Sequence, residues 1–336
     1  LLAEIRSAVQ RPRAPSDLPG PRPRVRDMGT LRRLLTDGPL VALERWANDA
    51  GGPVFVHWVG ARPHVVVTGP DAVREVVLDE TGLFQRNVQH TPVLFGRGVL
   101  ALAGEPWRRS RGRLDPFFRK GQVDDALPIM RERTDVLLDR WAAHDGPLRP
   151  ARDLSGLMLS ILGRWLFRFP FDQHPELLRG FSRSFVVLTT EIVKRHFSPA
   201  PYWLVLPDRK LRQARVRVMA VMEEVVRHRQ TLPPGDDLLG QLLEAETRGE
   251  LSRQDVLDEL VTLIVAGHET SATAFYPFLQ GQHTCLGKHL ALLEMGQFLI
   301  SFLARFALED FVGELEPQVR ISLHPKGLAL KLRPLA

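Results

Sequence analysis

The stretch "SRQDVLDELVTLIVAGHETSATAF", Ser252 to Phe275, constrains this chain more than any other. Ser252 with Asp255 three residues on predicts a capping box. From Leu260 to Ala266 the residues are apolar all round, as in a helix buried in a core. Gly267 in mid-helix costs about 1 kcal/mol relative to Ala, so the position gains from lacking a side chain. Thr270 can donate to the Ala266 carbonyl and open the helix locally. A packed helix with a tolerated glycine is the plainer reading, and the stretch alone does not separate the two.

Around it the pattern is mostly helical. "VDDALPIMRERTDVLLDRW", "LSGLMLSILGRWLF", "LLRGFSRSFVVLTTEIVKRHF" and "KLRQARVRVMAVMEEVVRHRQ" carry helical periodicity, and "LPPGDD" ends the run. Near the start, "DLPGPRPR" reads as a stiff extended entry and "LRRLLTDGPLVALERWAND" as a helix. "PVFVHWVG" and "HVVVTG" read as two short strands joined through "GARP". At the other end, "VRISLHPKGLALKLRP" alternates on both sides of a Pro-Lys-Gly turn and predicts a hairpin. Segregated strands among many helices predict a mainly α (α+β) fold rather than alternating βαβ units. With 336 residues, 44% of them hydrophobic, the chain can bury a substantial core.

One cysteine forms no intrachain disulfide, so a reducing cytoplasm is the expected setting. No uncharged apolar run reaches the eighteen or so residues of a membrane span, and "LLAEIRSAVQRPRAP" has no apolar signal-peptide region. A soluble, cytoplasmic protein is expected. Net charge is +6, which raises the question of nucleic acid. The arginines, however, are spread through helices and alternate with acids, as in "MRERTDVLLDR". No zinc-finger spacing or basic tail accompanies them, so no nucleic-acid partner is expected.

The single cysteine lies in "FLQGQHTCLG", Phe278 to Gly287. A lone Cys is most simply a small buried hydrophobe. Its neighbourhood points elsewhere, because "GKHLALLEMGQFLISFLARF" after it is strongly helical. Cys285 therefore stands at a helix N-terminus, where amide N–H groups favour an anion such as a thiolate. Gly281 and Gly287 allow a tight turn and the approach of a flat partner, and His283 can donate to an anionic group. A thiolate aimed at a planar cofactor is the chemistry of cysteine-ligated haem.

These residues match the F-x-x-G-x-H-x-C-x-G pattern of the cytochromes P-450, the haem-thiolate monooxygenases. The resemblance implies that Cys285 ligates the iron of haem b, that Phe278 packs near the sulfur, and that His283 reaches a haem propionate. "AGHET" resembles the family's A-G-x-(D/E)-T sequence over the distal haem face. Ala266 and Gly267 would then leave room for O2, and Glu269 and Thr270 would relay protons; His268 holds the variable position. In "GEPWRRSRGRLDPFF", Trp107 and Arg111 resemble the W-x-x-x-R pair that holds a haem propionate. The resemblance covers nearly the whole chain, so residues 1–336 read as one domain. It implies insertion of one oxygen atom from O2 into a C–H bond of a lipophilic substrate, with electrons from NAD(P)H through redox partners such as ferredoxin and ferredoxin reductase. Arg108, Arg109, Arg113 and Lys288 are candidates for docking the acidic donor. "RGVLALAGEPWRRSR", "LGRWLF", "LIVAGHET" and "CLGKHLALLE" resemble a bacterial subgroup that includes carotenoid β-ring hydroxylases. A carotenoid or other terpenoid is the first substrate expectation and a fatty acid the second.

One departure stands out. Cys285 follows Thr270 by 285 − 270 = 15 positions, whereas the family carries further helices, strands and an E-x-x-R motif between them. Glu105/Arg108 and Glu224/Arg227 have the spacing but precede the central helix, so neither is that motif. The seam falls near 274–277, where Pro277 disfavours helix at Tyr276. Either a segment is missing from the sequence or the chain has a true internal deletion; the intact flanking motifs and the absent initiator Met favour the first. The alternative function is a degenerate, non-catalytic remnant without the brace.

Overall fold

A computed structural model describes residues 39–50, 52, 54–59, 62–78, 88, 91–196, 209–269, 284–312, 316–319 and 323–335. The proline-rich entry and the seam near 274–277 lie outside the described residues. The described chain falls into two compact units.

The first unit includes helix α1 (Pro39–Ala50), strands β1 (Val54–Val59) and β2 (Arg62–Val67), and helix α2 (Pro70–Val77). In α1, Ala42 and Trp46 are one turn apart and bury the same face, as helical spacing requires. They pack with Phe55 of β1 into a small core that Leu43, Ala47, Ala50 and Val66 border. β1 and β2 pair antiparallel, from Val54 opposite Val67 to Val59 opposite Arg62. The expected early strands are therefore present, but Arg62 and Pro63, read as part of the joining turn, already belong to β2.

The second unit contains α3 (Pro92–Phe95), a 3-10 turn (Val99–Ala101), α4 (Gly104–Leu114), a second 3-10 turn (Asp115–Phe118) and α5 (Lys120–Asp124). It continues with α6 (Leu127–Ala142), α7 (Pro150–Phe167), a third 3-10 turn (Phe171–Gln173), α8 (Pro175–His196, to Thr190 in this unit) and α9 (Arg209–Gln230). It ends with α10 (Leu238–Thr247), α11 (Arg253–Glu269), α12 (Lys288–Arg305) and strands β3 (Phe306–Val312), β4 (Glu316–Val319), β5 (Leu323–Lys326) and β6 (Ala329–Pro334). The single helix expected over "VDDALPIMRERTDVLLDRW" is instead α5 and α6, with Pro128 in the first turn of α6. A proline's missing N–H is harmless there and harmful one turn later.

The core forms where two unusually apolar helices meet. In α7, Leu157 through Gly163 are all buried, and α7 packs along α11. α9, α10 and α3 close other sides of α11, while α6 lies between α7 and α12. Asp237 fastens this assembly by accepting from the Gly240 N–H at the start of α10 (3.0 Å) and pairing with the buried Arg229 of α9 (2.8 Å).

The C-terminal strands differ from the expected hairpin. β5 pairs with β4, and β6 returns to pair with β3, so the segments flanking the Pro-Lys-Gly turn have different partners. β6 finds a longer partner in β3, with Phe306 opposite Pro334 and Val312 opposite Ala329. Leu330 also exchanges two backbone hydrogen bonds with Leu148, each 2.8 Å. More ladder bonds are satisfied this way than in a hairpin limited by the four residues of β5.

Candidate functional site

α11 begins as its sequence dictates. The Ser252 hydroxyl donates to Asp255 (2.6 Å), whose own N–H donates back to the Ser252 oxygen (3.2 Å). Leu260 through Val265 are each no more than 6% exposed, so the all-round apolar run is an all-round buried helix. Ala266 and Gly267 near its C-terminal end are half-buried. A Cβ on Gly267 would lie 2.3 Å from Leu162 Cδ1 of α7, so a side chain there would force Leu162 to shift. Glu269 is the last helical residue. The side chains of His268 and Glu269 lie outside the described residues, as do Thr270, Phe278, Gly281 and His283.

α4 places Trp107 and Arg111 one turn apart. Trp107, Ser110 and Leu114 form its buried face. Arg111 is partly exposed and donates through Nε to Asp115 Oδ1 at 2.5 Å. Glu105/Arg108 and Glu224/Arg227 are i,i+3 ion pairs with partly or largely exposed side chains, which fits their exclusion as a buried brace.

Cys285 is exposed and free. Its carbonyl accepts a 3.4 Å bond from the Lys288 N–H at the first turn of α12, so the thiol stands beside that helix's N-terminus. Gly287 caps α12 with φ −80° and no side-chain capping bond. A Cβ there would meet nothing within 4 Å, so neither backbone conformation nor protein packing demands glycine at that position. Behind the cysteine, α12 is anchored to α6: Phe298 and Phe302 meet Trp141 edge-on at 5.9 and 6.3 Å, and Arg305 pairs with Asp135 and Asp139. α12 also touches α5, and α5 touches the 3-10 turn that follows α4. The Cys285 helix and the Trp107/Arg111 helix are thus linked through consecutive packed elements.

The sequence reading missed two buried carboxyls on α11. Asp258 accepts from the Arg97 N–H (2.8 Å) and from Gln254 Nε2 (2.8 Å). Glu259 accepts from the Val99 N–H (3.0 Å) and from the Ser110 hydroxyl, a very short contact. Burial pushes both carboxyls above the usual carboxylate range, against the hydrogen bonds that favour their charged forms. The segment they grip carries two glycines for a steric reason. A Cβ on Gly96 would lie 2.1 Å from Asp258 Oδ2, and one on Gly98 would lie 2.0 Å from Thr262 Oγ1. Glu259 and Ser110 also border a cavity of about 150 Å³ with Arg97, Arg109, Arg113 and Asp255 at its rim. The available signal was an adjacent acid pair just before an apolar run, matched by the paired glycines of "FGRGVL".

Comparison with known proteins gives a consistent result. The family profile described as Cytochrome P-450 matches residues 19–276 and 273–332, two stretches that meet at 273–276. The chain is 24% identical over 261 residues to cytochrome P-450 CYP749A22 of Panax ginseng, covering 72% of this chain and 49% of that protein. It is 29% identical over 234 residues to cyclooctat-9-en-7-ol 5-monooxygenase of Streptomyces melanosporofaciens, covering 64% of this chain and 48% of that one. The chain spans about half the length of these curated relatives. The fold matches the crystal structure of the cytochrome P450DA heme domain with a TM-score of 0.79 at 18% identity, over 95% of this chain and 98% of that one. The mainly α fold with small sheets is thereby established.

Proposed function

The chain belongs to the cytochrome P-450 family, whose members bind haem b, and on that premise we propose that it is a haem-thiolate monooxygenase with Cys285 as the iron ligand. The observation that carries this reading is the exposed thiol at the N-terminus of α12. The residues present fit the group. A buried cysteine would serve packing; this one is exposed, and Gly287, two residues on, has no side chain and open space around its Cα. The α12 N-terminus favours the thiolate over the thiol.

Haem b, when bound, supplies activation of O2 for insertion of one oxygen atom into a C–H bond. The chain supplies position and protons. Cys285 would hold the iron, and Trp107, Arg111 and His283 would hold the propionates. Arg111, which pairs with Asp115 in this structure, would then give up or share that partner. Phe278 would shield the sulfur, and Gly281 and Gly287 would shape the cysteine loop. Ala266 and Gly267 would leave room for O2, and Glu269 and Thr270 would relay protons. Residues 1–336 constitute one such domain in this reading.

Electrons reach the site from NAD(P)H through a ferredoxin and its reductase, docking near Arg108, Arg109, Arg113 and Lys288. The substrate is lipophilic, with a carotenoid or other terpenoid ahead of a fatty acid. A relative whose name describes a monooxygenase of cyclooctat-9-en-7-ol supports oxygen insertion as the reaction type. Among the described residues no helix is long and apolar enough to cross a membrane.

The test is the absorption spectrum of the reduced, CO-treated protein. A Soret band at the thiolate position, lost in Cys285→Ser, is the expected result. A histidine-type band, or no haem, would overturn the proposal and favour a non-catalytic remnant. That second reading is motivated by the step of only 15 positions from Thr270 to Cys285 and the missing E-x-x-R brace. An intact mass several kilodaltons above 37.9 kDa would show that a segment is missing from the sequence.

A further inference from the structure

Glu259 is a costly residue to place where it lies. Its carboxyl is buried, 6% exposed, directly before the apolar run of α11. Buried ionisable groups are often no more stabilising than apolar residues of similar volume. Its contacts are specific. One oxygen takes the Val99 N–H at 3.0 Å, and the other takes the Ser110 hydroxyl. These donors come from two elements that precede Glu259 by 160 and 149 residues. Ser110 stands one position before Arg111 and one turn after Trp107, and shares the buried face of α4 with Trp107. The same carboxyl therefore touches α11, which carries Ala266 and Gly267, and fixes the rotation of the helix that carries the propionate pair.

Asp258 repeats the arrangement one residue earlier by holding the Arg97 N–H. The two adjacent carboxyls grip alternate amides of the segment that leads into α4. Gly96 and Gly98 pack so closely against Asp258 and Thr262 that this segment has no room to slide. Thr262 in turn donates to the Asp258 carbonyl at 2.9 Å, so its hydroxyl is satisfied within α11. The groups facing the Glu259 carboxyl are Ser110 of α4, the Val99 amide, Asp258 on its own helix, and more distantly Arg113 of α4.

We infer that Glu259 is a positioning residue: by holding Ser110 and the Val99 amide together, it sets where Trp107 and Arg111 stand relative to the distal face of α11. This rests on the haem reading. Glu259 touches neither the haem nor the substrate; it acts through Ser110 and α4. Residues that orient direct cofactor partners typically change affinity by about tenfold to a hundredfold when lost.

The test compares the haem-loaded wild type with Ser110→Ala, Glu259→Gln and the double variant. Haem loss to excess apomyoglobin is measured alongside hydrogen exchange over residues 97–114. Each single variant is expected to release haem about tenfold faster. The double variant should be no worse than the weaker single, because both break one contact. Ser110→Thr, which keeps the hydroxyl, should restore slow release, while the thiolate Soret band stays in place throughout. Leu114→Ala, on the same buried face, controls for simple destabilisation and should lower Tm without reproducing this coupling. If Glu259→Gln does not fold, Ser110→Ala and its threonine rescue carry the test alone. Unchanged haem release in variants that keep the thiolate band would overturn the inference while leaving the haem reading intact. A wild type with no thiolate band would overturn both.

Discussion

Two helices of this molecule contrast in their surroundings, and the one richer in apolar residues, α12, is the more exposed. In α11, Leu260 through Val265 are at most 6% exposed. In α12, Leu299, Ile300 and Leu303 are 53, 70 and 59% exposed, and only Leu290 and Glu294 are buried. The difference lies in the neighbours. α7, α9, α10 and α3 meet α11 on several sides, whereas α12 rests chiefly on α6 and α5 through its aromatic face. Apolar content shows that a helix can be buried; tertiary partners decide how much of it is.

The largest expected contrast comes from truncation. Ile264→Ala, at a site with 0% exposure, should cost about 2–5 kcal/mol in urea unfolding. Leu303→Ala on the open face of α12 should stay within about 0.5 kcal/mol. Equal losses would erase the distinction between the helices. Glycine substitutions sharpen it next. Gly267→Ala drives a Cβ towards Leu162 and should cost about 1–3 kcal/mol. Gly296→Ala in α12 meets nothing within 4 Å and should gain about 0.5–1 kcal/mol from helix propensity.

A smaller effect appears in the pH dependence. Burial raises the Asp258 and Glu259 carboxyls, so the folded state holds their protons more tightly than the unfolded chain does. Stability should therefore fall as pH rises through the ordinary carboxylate range towards their raised values. Asp172 and Asp255 act in the opposite direction. Burial works against their charged forms too, but hydrogen bonds from Arg164 and Ser160, and from Ser252, outweigh it. Their contribution is present above the unfolded value and lost as pH falls through the lowered one. Thermal melts of Glu259→Gln should lose less Tm than wild type as pH rises above the ordinary carboxylate range; parallel curves would refute the assignment. The smallest effect on stability should be at Cys285. In the haem-free chain, Cys285→Ala is expected to shift stability by less than about 0.5 kcal/mol. A disulfide reagent should modify the haem-free thiol rapidly and the haem-loaded protein slowly.

Much of this could be read from the residues. The buried run of α11, its capping box, the early strand pair and the helical setting of Trp107 and Arg111 follow from local spacing. The buried roles of Asp258 and Glu259 do not, because a charged pair on a helix normally marks its solvent face. Donors 149 to 161 residues away, with Gln254 as a local donor to Asp258, make those positions tolerable. Gly267 was legible as a position that wants no side chain, but its partner Leu162 comes from another helix. The final strands alternated as expected, yet alternation carries no information about which strand is the partner.

That strand order bears on how the chain assembles. The β4–β5 ladder lies wholly between Val312 and Ala329, the pair that closes the inner end of the β3–β6 ladder. The arrangement is a hairpin nested within a hairpin. Once the short inner ladder has zipped, the ends of the outer one are already near each other, and the chain entropy lost in joining them is correspondingly smaller. The strand that begins directly after the cysteine's helix can thus find its distant partner by a sequence of local steps, without a search across the molecule.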